Sequence, residues 1–324
     1  MEYFGHASDA MSLKLLGLFV NSGSRTYWLF IVASCIVAAL LWRPEKQFHL
    51  TARERLWSRE TWFSRSAIND YGLIMMNSAL LAMLYDGIAP DRESLTAFIA
   101  HGARTLLPAV PDNITAMTVI APVLLAAALF LVDDLIRYAV HYAEHRIPLL
   151  WQFHKVHHSA TVLNFMTAER HHPVALVYTG VAIMAGAATV NGLFLALFGD
   201  HLTMATLMGG NIFWVLANLL GSAFRHSPVW ISFGPKVERW LISPAQHQIH
   251  HSEDQRHWDK NMGGTLAIWD RLFGTLYVTT KTRERITYGI GDETPNHASL
   301  AGIYTRPIIE SVRMLVPVKL APVA

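Results

Sequence analysis

Five stretches of the chain are apolar over lengths that suit helices in a bilayer, and polar, charged segments separate them. Residues 27–42 hold 16 uncharged positions with aromatics at the flanks. Residues 71–85 are the weakest stretch, short and interrupted by Asn77. Residues 114–132 form a 19-residue run broken only by Pro122. Residues 174–198 supply 25 positions with Asn191 as the main polar interruption, and residues 202–224 supply 23 with Asn211 and Asn218. A span needs about 20 apolar residues, so three stretches pass and two are borderline. Only Gly199, Asp200 and His201 separate the last two, which predicts a tight helical hairpin. The short apolar run 11–20 suits a membrane surface. No basic region followed by an apolar core and a small-residue cleavage site opens the chain, so no secretory signal peptide is expected.

Lys and Arg alternate between these stretches as five spans require. The loop after the first holds Arg43, Lys46, Arg53, Arg55, Arg59 and Arg65; the next holds only Arg92 and Arg104. Arg137, Arg146, Lys155 and Arg170 follow the third, and Arg225, Lys236, Arg239, Arg256, Lys260 and Arg271 follow the fifth. This pattern puts residues 133–173 and 225–324 on the cytoplasmic side. Composition agrees: 52% of residues are hydrophobic and only 15% charged, against about 25% charged in a soluble domain. The expected architecture is all-α: a multi-span membrane helical bundle with a cytoplasmic, histidine-rich helical cap. Residues 1–110 read as N-terminal membrane helices and loops, 111–280 as the catalytic domain, and 281–324 as a C-terminal tail that packs on the membrane surface.

Two counts turn the picture toward chemistry. The single cysteine, Cys35, excludes a disulfide framework and a cysteine-ligated metal cluster. Histidine is abundant, with 17 residues, and every dense group falls on the expected cytoplasmic side. A net charge of +2 with no basic, aromatic-laced stripe excludes nucleic acid as a partner.

The histidines recur at helical spacing. His141-Tyr-Ala-Glu-His145 continues the third apolar stretch with no Gly or Pro, so one helix is expected to run out of the membrane and aim two imidazoles at one point. Asp134, seven residues before His141, shares that face and is expected to hold a ring nitrogen. His154-Lys-Val-His157-His158 and His247-Gln-Ile-His250-His251 each place three rings on one helical side. A lone HxxxH on a helix is more often surface decoration. Three boxes on one membrane face supply eight imidazoles, twice the four or so ligands of one zinc ion, so a dinuclear metal site is the economical reading.

These residues resemble the three histidine boxes of the fatty acid hydroxylase/sterol desaturase superfamily, integral membrane di-iron enzymes. The flanks agree: Trp151-Gln-Phe-His154, Arg170-His171-His172-Pro173, Phe224-Arg225-His226-Ser227, Ser243-Pro-Ala-Gln-His247, Asp259-Lys-Asn261-Met-Gly263 and Ile268-Trp269-Asp270-Arg271-Leu-Phe273-Gly274-Thr275 follow in the family's order. The resemblance covers residues 131–278. It implies His141, His145, His154, His157, His158, His247, His250 and His251 as iron ligands, with His226 and His172 as further ligands. Asp259, Asn261, Trp269 and Asp270 are expected to orient ligands or brace the site. His171 and His257 have no firm counterpart and are expected beside the ligands or at the surface. His201 is expected on the far side, and His6, His49, His101 and His297 facing solvent.

The implied cofactors are two Fe ions, with zinc able to substitute, and O2. Imidazole alone does not choose among iron, zinc, copper and nickel. The implied reaction is hydroxylation of a lipid C–H bond, with desaturation or methyl oxidation open on the same site. No Gly-x-Gly-x-x-Gly, CxxC, haem or flavin signature is present, so a separate electron donor of cytochrome, ferredoxin or reductase type is expected at the cytoplasmic face. A zinc hydrolase is disfavoured because HExxH is absent, although Glu144 and Glu169 are available as bases. A metal transporter is disfavoured because its ligands belong near the bilayer midplane. Gly180, Ala185, Gly186, Gly209 and Gly210 are expected to let the helices approach closely or to line a substrate channel.

Overall fold

The computed structural model describes residues 28–41, 56–88, 91–111, 113–202, 211–280 and 283–315. Among these the chain is helical, with two isolated β-bridges and no strand. The helices are α1 (Trp28–Leu41), α2 (Arg59–Phe63), α3 (Arg65–Ile88), α4 (Arg92–Arg104), α5 (Met117–Arg146), α6 (Pro148–His158), α7 (Pro173–Phe198), α8 (Ile212–Leu219), α9 (Pro244–His250), α10 (Ile268–Phe273) and α11 (Leu300–Leu315).

Helices α5 and α7 are long and apolar enough to cross a membrane. At about 1.5 Å per residue, α5 is roughly 45 Å long, longer than a hydrocarbon layer of about 30 Å. Only 17% of its apolar window and 28% of that of α7 are buried in the protein. A water-soluble core helix with apolar residues all round would bury them; here Val119, Val123, Leu131, Val177 and Val181 face outward. Both observations support membrane association.

The two helices run antiparallel. Tyr178 meets Glu144, and Gly186 lies against Ile136 and Val132. The expected small-residue contact therefore holds at Gly186. Gly180 has open space around it, while Gly209 and Gly210 lie outside the described residues. Gly192 is the close contact that sequence reading missed: a Cβ there would stand 2.7 Å from Ile99 and 2.9 Å from the Thr96 carbonyl of α4.

Proline and capping residues set the turns around the site. Pro148 disfavours helix at Ile147, which adopts φ −101°, ψ 110° and ends α5; Pro148 then opens α6. Pro173 opens α7 behind the His172 cap. Ser243 and Gln246 form a capping box at α9.

Two expectations change, and a third stretch is described in part. The weak stretch 71–85 lies inside the 24-residue helix α3. The described part of 202–224 is not one span: α8 stops at Leu219, Gly221 turns left-handed at φ 96°, and a 3-10 turn follows over Ser222–His226. The stretch 27–42 shows a 14-residue helix in its described part. The run 11–20 falls outside the described residues.

Candidate metal centre

Four short segments bring their histidines together. The last turns of α5 carry His141 and His145, α6 carries His154, His157 and His158, and α9 with its C-cap carries His247, His250 and His251. His226 arrives from the 3-10 turn behind α8. The nine rings fall into two groups. His141, His145, His154, His158 and His250 form the first; His157, His226, His247 and His251 form the second. Within each group the candidate ligand nitrogens lie within 4.8 Å of one another. Each HxxHH box is shared out: its i,i+4 pair enters one group and its i+3 histidine the other. The groups adjoin, with the His158 and His251 rings 4.7 Å apart.

In the second group the Nε2 atoms converge at 3.0–3.2 Å, His226 facing His157, His251 and His247, and His247 facing His251. Nitrogens about 2.1 Å from one ion at right angles would sit about 3 Å apart. In the first group His154 and His158 place their Nε2 atoms 3.1 Å apart, and the buried Nε2 atoms of His141, His145 and His250 have no hydrogen-bond partner. Three orphaned nitrogens at one buried point carry a cost that a metal removes. The donor set is nitrogen throughout, which suits a first-row transition metal and not Mg or Ca.

The opposite ring nitrogens are held from behind. Nδ1 of His141 faces the Met262 carbonyl at 2.7 Å, His250 the Lys260 carbonyl at 2.7 Å, and His157 the Arg170 carbonyl at 3.3 Å. Nδ1 of His145 lies 3.3 Å from Asp259, and Nδ1 of His154 lies 2.8 Å from Glu144, out of line for an ideal hydrogen bond. An Nδ1–H directed at oxygen leaves Nε2 as the free lone pair. Burial first, and neighbouring imidazoles second, hold His154, His157, His158, His247 and His250 well below the usual histidine range; burial takes His251 down to about 3. The rings are therefore neutral, as ligation requires.

The signature segment shapes this backing. Asp259 and Asn261 both adopt left-handed backbone, at φ 56° and 55°, a conformation Asp and Asn tolerate better than most residues. The carbonyls of Lys260, between them, and Met262, directly after them, face the rings of His250 and His141. Asn261 donates to the Gln246 carbonyl and accepts from the Tyr277 amide. Asp270 accepts from the amides of Met262 and Gly263 and from Thr275. Asp134 does not hold a ring nitrogen as expected. Its carboxylate accepts from the amides of Thr265 and Leu266 and from Trp269 Nε1, tying the signature segment to α5. The imidazole it was expected to hold is taken by the Met262 carbonyl, because the signature loop lies between them.

His172 joins neither group. Its Nδ1 accepts from the Val174 amide and its Nε2 faces the Tyr304 carbonyl, so it works as the cap of α7. His171 stacks on His157 with ring centres 4.6 Å apart. His257 is buried against Glu284, 3.2 Å away, and His201 faces the Pro111 carbonyl. His101 is exposed as expected. His297 is not solvent-facing: it is 1% exposed, near the foot of α11. His6 and His49 lie outside the described residues. Glu144 and Tyr178, whose hydroxyl donates to Glu144, were missed as supports. The available signal was a carboxylate three residues after His141 on the same helix.

Two adjoining all-imidazole groups at the end of a long apolar helix make a candidate metal centre of an uncommon kind. Residues 126–275 match the fatty acid hydroxylase family, in line with the resemblance of this segment to the fatty acid hydroxylase/sterol desaturase superfamily. Alkylglycerol monooxygenase from Homo sapiens is 31% identical over 163 residues, 50% of this chain and 32% of that protein. The Xenopus tropicalis protein of the same name is 28% identical over 161 residues, with the same coverage. A Lecanicillium fatty acid hydroxylase is 28% identical over 158 residues, 44% of this chain and 39% of its own. The chain thus spans about a third of the length of the alkylglycerol monooxygenases it matches. No solved structure matches it.

Proposed function

We propose that the chain is a membrane-bound di-iron monooxygenase that hydroxylates a C–H bond of a lipid. The observation that supports this most is the pair of adjoining imidazole groups with buried, orphaned Nε2 atoms at the end of α5. His141, His145, His154, His158 and His250 would hold one iron, and His157, His226, His247 and His251 the other. Two bound irons would supply O2 activation, with two electrons from a separate donor and two protons; one oxygen enters the lipid and the other leaves as water. Glu144 and Asp259 keep the protons of His154 and His145 on Nδ1. Asn261 and Asp270 fix the carbonyls that do the same for His250 and His141. Burial of the rings excludes bulk water from the reacting carbon.

The substrate class we favour is a fatty-acyl, sterol or alkylglycerol lipid. Its apolar part stays in the bilayer against α5 and α7 while one carbon reaches the site. Similarity to alkylglycerol monooxygenases and a fatty acid hydroxylase supports a lipid. We place the site on the cytoplasmic face of a multi-pass protein, where a cytochrome, ferredoxin or reductase can dock. The test combines metal analysis with untargeted lipid mass spectrometry of cells with and without the protein. Two irons per chain and lipids gaining one oxygen are expected; lipids losing two hydrogens would make the enzyme a desaturase. A purified, iron-supplied protein that binds one metal or none would overturn the dinuclear reading.

A further inference from the structure

The signature segment and the adjoining stretch 236–240 expose large apolar side chains next to cations. Leu272 is 71% exposed, Phe273 59% and Trp240 57%. The two stretches that carry them are joined: the Ala267 amide donates to the Trp240 carbonyl, and the Arg271 guanidinium lies 5.3 Å over the Trp240 ring. Lys236, Arg239 and Arg271 are exposed and have no carboxylate partner among the described residues. Helix α10 ends at Gly274, whose left-handed φ of 75° stops the helix with Leu272 and Phe273 outward.

The height of this face is set by α5. Phe273 stacks on Tyr138, ring centres 5.4 Å apart, and lies 6.3 Å from Tyr142. Tyr138 is five residues past Asp133, where the apolar run of α5 ends, a rise of about 7 Å. The headgroup layer on each side of the hydrocarbon is about 5–7 Å thick. Aromatic and aliphatic side chains with Arg and Lys beside them match that layer. We propose that Trp240, Leu272 and Phe273, with Lys236, Arg239 and Arg271, form a face that seats in the headgroup layer of an anionic lipid leaflet beside the end of α5. The proposal rests on the reading of α5 as a membrane span. A second copy or a docking protein would also cover apolar side chains, but the stacking on Tyr138 sets them at lipid height, and the cations complement anionic lipid.

The test uses the full chain, carrying Cys35→Ser, in nanodiscs of zwitterionic lipid with and without phosphatidylglycerol. Single fluorophores are placed through Leu272→Cys, Val123→Cys and Arg256→Cys. Position 123 is 55% exposed on α5, and the Arg256 side chain is 70% exposed on the cap. Nitroxide lipids labelled near the headgroup should quench position 272 several-fold more than position 256. Deeply labelled lipids should quench position 123 most. Arg239→Gln with Arg271→Gln should cut the enrichment of phosphatidylglycerol around the protein by about tenfold. Position 272 behaving like 256, open to a water-soluble quencher while 123 meets lipid, would overturn the proposal alone. Position 272 shielded from water and lipid alike would assign the face to a protein and also overturn it. Position 123 escaping lipid would remove the membrane-span reading and the proposal with it.

Discussion

His157 and His158 are adjacent in the chain yet point into different imidazole groups, and so do His250 and His251. On a helix, residues one apart diverge by about 100° while residues four apart nearly superpose. Each HxxHH box therefore cannot serve one ion alone. Side-chain partners then decide how firmly each ring is aimed. Glu144→Gln keeps the shape but removes the carboxylate beside His154. Metal affinity at the first position should fall about 10- to 100-fold, read by chelator competition, with the second position unchanged. Equal affinity in both proteins would show that the carboxylate has no hold on the ring. Burial also makes the metal-free protein acid-sensitive. The named imidazoles of α6 and α9 have folded values below the ordinary 6.5, so below about pH 6.5 the unfolded chain binds more protons than the folded one. Their stabilising contribution is complete above that value and is lost as pH falls toward the folded values. Denaturation midpoints of metal-free protein should drop through this window, whereas a flat profile would mean the rings are not held neutral.

Among the elements, the signature segment acts as a bracket between α5 and the α9 box. Asp134 and Trp269 fasten it to α5, Asn261 fastens it to α9, and Asp270 fixes its internal winding. Gly263 lies where this bracket is tightest. A Cβ there would meet Asp270 Oδ2 and the Leu266 carbonyl, each at 2.7 Å. Gly263→Ala should cost about 1–3 kcal/mol and displace the Met262 carbonyl from His141. Thermal unfolding in detergent and metal content would both decline; full metal content with normal unfolding would refute the bracket. The motif order in the sequence singled out Asp259, Asn261, Trp269 and Asp270, and all four lie in this bracket. Asp134, expected from its helix face to hold a ring nitrogen, accepts from amides of the signature segment instead, because sharing a face with His141 says nothing about which distant segment lies closer.

At the scale of the whole molecule, the C-terminal segment reaches back to the site. Lys155, on α6 between His154 and Val156, is buried and contacts both Glu293 and Glu310 of α11's neighbourhood. Leu73, Val156 and Ile303 form a shared core cluster, joining α3, α6 and α11. Lys155→Ala would leave two carboxylates facing each other and should destabilise by about 1–3 kcal/mol. Limited proteolysis within 283–315 should accelerate, and unchanged cleavage would show that the helix is held by its apolar contacts alone. The same packing buries His297, which was expected to face solvent because it lies outside the histidine boxes. Polarity near a site often reflects such internal ion pairing, which periodicity cannot reveal.

What the sequence determined by itself is local. Helical spacing paired His141 with His145, His154 with His158 and His247 with His251, and apolar runs marked α5 and α7. These patterns depend on 3.6 residues per turn and on side-chain hydrophobicity, both readable within one segment. Tertiary structure alone decided the division into two groups, the exclusion of His172, and the acceptors behind each ring. The Met262 carbonyl that backs His141 lies 121 residues away in the chain. A backbone oxygen has no residue identity to betray it in a sequence, and only the folded path brings it to the ring.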